Sequence, residues 1–281
     1  MSESSPPSDT DVHPGTGLDT LPAVLPLPAE AEAQLAEARR VLEESSLAAR
    51  LSGMVGTPVE ALRRRLPAVA QGMVDGAVKG ALAKALSAAM RSDPGRSLPG
   101  LSTEWLHRGL AVASGAVGGA FGLPGTLVEL PVSTTLLLRQ IGAEAAAAGE
   151  DTTQPLTGAE CLKVFALGGR SATDDATETG YYATRLALAQ VLPTLGARLL
   201  PGFIGAIAAR FTGPVLLKLG AQAAPVLGAA AGAAVNIAFL EHFRSLARAH
   251  FCVRRLEREY GADAVRAAYE VLNARAKFQR S

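Results

Sequence analysis

"VNIAFLEHFRSLARAHFCVRRLEREYG" (residues 235–261) passes from small apolar residues into dense charge, with neither proline nor glycine before Gly261. Nothing in it can break a helix, so it reads as one continuous helix across a change of character. At about 100° per residue, positions seven apart return to nearly the same face, drifting by roughly −20°. Asn236, Phe243, His250 and Glu257 are spaced in this way and form one stripe beside Leu246. The stripe is expected to face the core, with Arg254 flanking it one turn beyond His250. His242 lies about 80° from His250 at this rotation and is expected to matter little. Polar groups on a buried face need partners. A satisfied structural network is the preferred reading, and a catalytic or metal site the alternative.

Working outward, two long runs carry no charge: residues 109–128 and residues 219–240. Both are long enough to cross a bilayer. Their leucine, isoleucine, phenylalanine and valine content is worth only on the order of −3 kcal/mol each for insertion. Gly115, Gly118, Gly119 and Gly122 interrupt the first run. Gln222, Pro225, Gly228, Gly232 and Asn236 interrupt the second. Gly115 with Gly119, and Gly228 with Gly232, make two Gly-x-x-x-Gly pairs that let helix backbones cross closely. These runs are expected to form the closely crossed centre of the domain, in contact with membrane but not spanning it.

No stretch alternates as a strand would, so the fold class is all-α: an Ala/Gly-rich, closely packed helical bundle. Aromatic residues make up 5% of the chain, so small side chains must let backbones approach. Mean hydropathy is +0.21, on the apolar side for a soluble protein. With 27 basic and 26 acidic residues there is no global field to attract nucleic acid. Two cysteines, Cys161 and Cys252, cannot make a disulfide framework, which favours a reducing compartment.

Residues 1–28, rich in Pro, Ser, Thr and Asp and holding an isolated His13, are expected to be a disordered tail in which nothing packs. Residues 29–92 read as an N-terminal helical segment. Thr57, Pro58 and Glu60 look like a helix start. Val74, Val78, Leu82 and Leu86 line one face, away from Lys79 and Lys84. The turn-rich "RSDPGRSLPG" (91–100) then leads into an all-α domain over 93–275, in which Trp105 is expected to anchor the core. A helix break is expected at Leu123-Pro124-Gly125, with a new helix running from Thr126 to Ala148.

Two acidic features have double readings. Thr126-Leu-Val-Glu129 has the pattern of a capping box, the preferred reading of Glu129, with Pro131 in the same first turn. Otherwise Glu129 is a buried carboxylate in an apolar 30-residue stretch, and Arg139 or Arg254 could supply its cation. Asp174, Asp175 and Glu178 could share a magnesium ion with a phosphate. The preferred reading there is a helix start at Ser171-Ala-Thr-Asp174, where acids favour the first turn. No phosphate loop, nucleophile elbow or His-Glu-x-x-His zinc motif is present, and no cofactor is expected.

Several of these residues, taken in order, resemble the EcsC family of bacterial proteins. They are Gly122-Leu-Pro-Gly125, Glu129-Leu-Pro131, Arg139, Tyr181-Tyr182 with Arg185, Arg210-Phe211, Ala221-Gln222 with Pro225 and Gly228, Asn236 with Phe239, and His250-Phe251 leading to Arg254-Arg255-Leu256-Glu257 and Tyr260-Gly261. The resemblance spans about residues 57–275. It implies an intracellular, peripherally membrane-associated helical protein whose partner is a membrane surface or membrane complex, such as the ABC exporter beside which the family's founding gene lies. It carries over no catalytic residue. A non-enzymatic accessory role is therefore expected, with Glu129, Arg139, Asn236, His250, Arg254 and Glu257 as a candidate polar cluster. The alternatives are a metal-assisted hydrolase using His250, Glu257 and Glu129, and a protein binding lipid or another apolar ligand between its Gly-rich helices.

Overall fold

A computed structural model describes residues 26–44, 47, 64, 72–73, 75–81, 103–168, 180–191 and 225–280. Its elements are α1 (Ala29–Glu44), α2 (Thr103–Ala120), α3 (Gly122–Ala147), α4 (Pro155–Gly168), α5 (Tyr181–Val191), α6 (Pro225–Tyr260) and α7 (Ala262–Arg280). The fold is all-α. The quoted stretch is indeed one helix, and α6 is the axis of the bundle. It packs most extensively on α2, and also on α3, α1, α4 and α7. Of the remaining described helical residues, Leu47, Val78 and Ala81 lie in the same core.

The central position of α6 corrects the reading of His242, which is buried and directs Nε2 at the Gly168 carbonyl (3.2 Å). Only a narrow face at Ser245 and Arg248 stays exposed near this turn of α6, so a single buried stripe understates its burial. Phe243 stacks on Phe165 of α4 at 5.0 Å between ring centroids. This stack passes so close to Gly168 that a Cβ there would sit 2.1 Å from the ring.

α2 and α3 are separated only at Phe121 and fold back on each other. Gly118 lies against Glu129, and His107 Nδ1 meets Gln140 Oε1 at 2.8 Å. The break therefore comes earlier than expected. Pro124 sits in the first turn of α3, where a missing N–H costs no intrahelical bond. Thr126 and Glu129 lie inside the helix and cannot cap it, and Pro131 is interior as well. Ser133, Thr134 and Thr135 turn their hydroxyls back onto the carbonyls of Leu130 and Pro131. Back-bonding of this kind and an interior proline both favour bending. α3 ends at Gly149, whose positive φ allows Gly149 N–H to bond to Ala146 and Glu150 N–H to Ala145, both at 3.0 Å.

Trp105 lies in α2, but its side chain is outside the described set, as are Thr57–Glu60. Leu27 corrects the expectation for residues 1–28: it packs against the core, and the Pro28 carbonyl accepts the Glu32 N–H. α1 adds Leu35 and Leu42 to the core that α6 and α7 share. Among the described residues no helix is long and apolar enough to cross a membrane. The run 109–128 is divided by the α2–α3 turn. Of the run 219–240, residues 225–240 open α6 and the rest lies outside the described residues.

Candidate functional site

Two polar clusters lie along α6, fourteen residues apart, or roughly 21 Å at ~1.5 Å per residue. The first is centred on Asn236. Its side-chain amide donates to Glu129 Oε1 at 2.7 Å and also faces the Ala111 carbonyl and Ser114 Oγ. Both Asn236 and Glu129 are buried. This arrangement depends on a close helix crossing, because a Cβ on Gly115 would meet the Gly232 carbonyl oxygen at 2.5 Å. The backbones touch there, which leaves no room for a ligand cavity at that crossing.

The second cluster is centred on His250, which is fully buried. Its Nε2 lies 3.0 Å from Glu160 Oε2, and its Nδ1 lies 2.9 Å from the Tyr181 hydroxyl. Glu160 also takes Lys163 Nζ at 2.8 Å and Arg254 Nη1 at 3.1 Å. Burial opposes the charge on Glu160, but the hydrogen bonds from His250 and Lys163 and the charge of Arg254 prevail, holding the carboxyl at about 2. Burial depresses the His250 pKa, and its bond to Glu160 offsets this only in part. The consistent arrangement is therefore a neutral imidazole whose Nε2–H donates to the carboxylate while Nδ1 accepts from Tyr181 O–H. Burial raises the Tyr181 phenol well above its ordinary range, so it keeps its proton.

Around this hub the charges are arranged in pairs. Arg254 and Arg258 both reach Glu150, which the turn at Gly149 positions. Arg185 holds Glu257 through two bonds of 2.6 and 2.8 Å, and Tyr182 donates to the same carboxylate at 3.0 Å. The Tyr181 and Tyr182 rings meet edge to face, and the Arg185 guanidinium lies over both. Glu43 at the end of α1 accepts the Tyr181 N–H (3.0 Å) at the start of α5 and the Tyr269 hydroxyl (2.8 Å) of α7. Three helices distant in sequence are thus tied together by one carboxylate.

Measured against the expected cluster, Asn236 and Glu129 come together, and His250 meets Arg254 through Glu160. Neither proposed cation reaches Glu129 as expected. Arg254 is engaged by Glu150 and Glu160, and Arg139 lies near His107, whose proton affinity its charge lowers. Asn236 supplies a donor to Glu129 instead. His250, Glu257 and Glu129 do not converge on one point, because Glu257 pairs with Arg185 and Glu129 belongs to the other cluster. Among the described residues no three His, Cys, Asp or Glu side chains could hold a metal ion. Asp174, Asp175 and Glu178 lie outside the described residues.

Sequence reasoning missed Glu160, Lys163, Glu150 and Glu43. Glu160 and Lys163 left a signal: two opposite charges three residues apart inside the otherwise apolar "AECLKVFAL" (159–167). Burial pushes the thiol of Cys161 beside them up to about 12, so it keeps its proton at neutral pH.

These features define an all-α protein organised on one long helix, with a sealed polar hub at one end and a glycine-crossed apolar hairpin at the other. The chain belongs to the EcsC protein family, which residues 102–256 match. That match takes in both clusters up to Leu256 and lies within the 57–275 of the resemblance. No curated protein and no solved structure matches the chain.

Proposed function

We propose that this protein is a membrane-associated accessory module whose α2–α3 hairpin enters one leaflet without crossing it, while the hub end remains outside. The observation that carries this reading is the surface of the hairpin. Val112, Val117, Phe121, Val128 and Val132 are exposed there, with Phe121 at 70% and Val128 at 78%. Solvated proteins seldom gather so many apolar side chains in one place. The only charge from 109 to 138 is Glu129, which is buried, and α6 carries none from 225 to 240. From Arg108 to Phe121 the hairpin reaches about 20 Å at ~1.5 Å per residue. One leaflet contributes about 15 Å of hydrocarbon.

A fully buried His250, with both ring nitrogens bonded, supports a structural role for the hub over a hydrolytic one. Held at the membrane by its hairpin, the module could present the hub end to a membrane complex of the exporter kind.

Flotation with neutral phosphatidylcholine vesicles tests the reading. The wild-type chain is expected to float and the Phe121→Ser/Val128→Ser double variant to stay behind, with an unchanged melting temperature because both side chains are exposed. A wild type that stays behind would refute the reading. Self-association lost in the double variant, without flotation, would assign the hairpin to a second copy of the chain.

A further inference from the structure

The charge-free region ends at a defined level. Arg108 on α2 pairs with Glu241 on α6 at 2.7 Å, so the last charge before one apolar run meets the first charge after the other. Arg139, the first charge on α3 after Glu129, acts on His107 at the same level. One turn further, Glu144 takes Arg244 at 3.0 Å and Arg248 at 2.9 Å. This band holds four arginines against Glu144, Glu241 and Glu104, the last on α2 one turn before Arg108, a net charge of +1. The side chain of Arg248 is 59% exposed against 10% for its partner Glu144, and that of Arg108 47% against 29% for Glu241, while Arg244, at 14%, lies inward beside Glu144. No acid among the described residues closes an ion pair with Arg139, which is partly exposed.

Resting on the membrane reading above, we infer that this band is a headgroup site that selects anionic phospholipids. With the hairpin tip in the hydrocarbon, the band lies about 20 Å away at ~1.5 Å per residue, which is headgroup depth. Arginine suits phosphate there, because its planar fork gives two parallel bonds to phosphate oxygens. In the Arg108–Glu241 and Arg248–Glu144 pairs the arginine is the outer partner, so an anionic surface meets attraction first there. Each basic residue near such a surface is worth roughly five-fold in binding, so one net charge predicts about five-fold.

The test compares binding to vesicles of phosphatidylcholine alone and with 30% phosphatidylglycerol, about 0.1 M salt being present. The wild-type chain is expected to bind the anionic vesicles about five-fold more tightly, with the preference fading as salt rises. Arg139→Gln should cut that preference about five-fold and leave binding to neutral vesicles unchanged. Arg248→Gln should behave similarly, while Arg266→Gln, an exposed arginine on α7, should change nothing. Equal binding to both vesicle types, still lost in Phe121→Ser/Val128→Ser, would overturn the headgroup site and leave the hairpin reading standing. The same would follow if Arg266→Gln matched Arg139→Gln, since the effect would then be net charge alone. Binding to neither vesicle would overturn both.

Discussion

The two ends of α6 each bury a polar residue of the same heptad stripe, yet they are stabilised by opposite means. Around Asn236 the helices touch backbone to backbone at Gly115 and Gly232, and the outer surface is apolar. Around His250 they are held apart by aromatic rings and joined by bonded charges. Small residues give close approach but little area to bury, so each contact at the apolar end contributes little and much surface is left to hide. The hub end is the reverse, because its charges are stable only while every partner is present.

The largest expected effect lies at the crossing. Gly115→Ala should destabilise the fold by about 3 kcal/mol, the upper part of the range for overpacking, because the neighbouring atom is a backbone carbonyl that cannot rotate away. Gly109→Ala on the same helix, where a Cβ would meet nothing within 4 Å, should be neutral or stabilise by up to ~1 kcal/mol. Chemical denaturation of both variants makes the comparison, and equal effects would show that the crossing is not tight.

Next comes the hub. His250→Ala strands the Tyr181 hydroxyl, removes a donor from Glu160 and leaves a cavity, for about 2–3 kcal/mol. Asn236→Ala removes one donor from Glu129 and should cost less, about 1–3 kcal/mol. His242→Ala should cost about 1 kcal/mol, a measurable loss, since its ring is buried against a backbone carbonyl. Thermal melts would rank the three, and a negligible shift for His250→Ala would remove the hub from this account.

Acid should act on the hub and on the base of the hairpin together, through His250 in the one and His107 in the other. His250 and His107 are both depressed below 6.5 by burial. The unfolded chain therefore takes up protons first, and stability present above pH 6.5 is lost as pH falls below it. Glu160, lowered from 4.5 to about 2, adds a second loss as pH falls below 4.5. Melting temperature should be level above pH 7, fall below 6.5 and fall more steeply below 4.5. In His250→Gln/His107→Gln the first decline should flatten, and a profile identical to wild type would contradict the buried neutral histidines.

Much of this architecture is legible in the sequence because helical periodicity survives on a long helix. The stripe of Asn236, Phe243 and His250 and the glycines at 115 and 232 could be read directly. The burial of His242 could not, since a single stripe assumes one buried face and α6 is covered by five helices. Glu129 was misread as a possible cap because Thr126-x-x-Glu129 fits the pattern, whereas α3 had already begun at Gly122. The partners of His250 lay beyond local reasoning. Glu160 is 90 residues away in sequence, and no spacing rule links two helices joined only by packing.

The central claim is that the hairpin end of α6 meets lipid while the rest of the bundle does not. Val128 and Phe278 provide an even comparison, at 78% and 85% exposed, on α3 and on α7. Spin labels at Val128→Cys and Phe278→Cys, each in a Cys252→Ala background, would be read with oxygen and with a water-soluble nickel complex, with and without vesicles. The account predicts that vesicles make the Val128 label more accessible to oxygen and less accessible to nickel, and leave the Phe278 label unchanged. Two labels that stay equally open to nickel, or that change together, would contradict it.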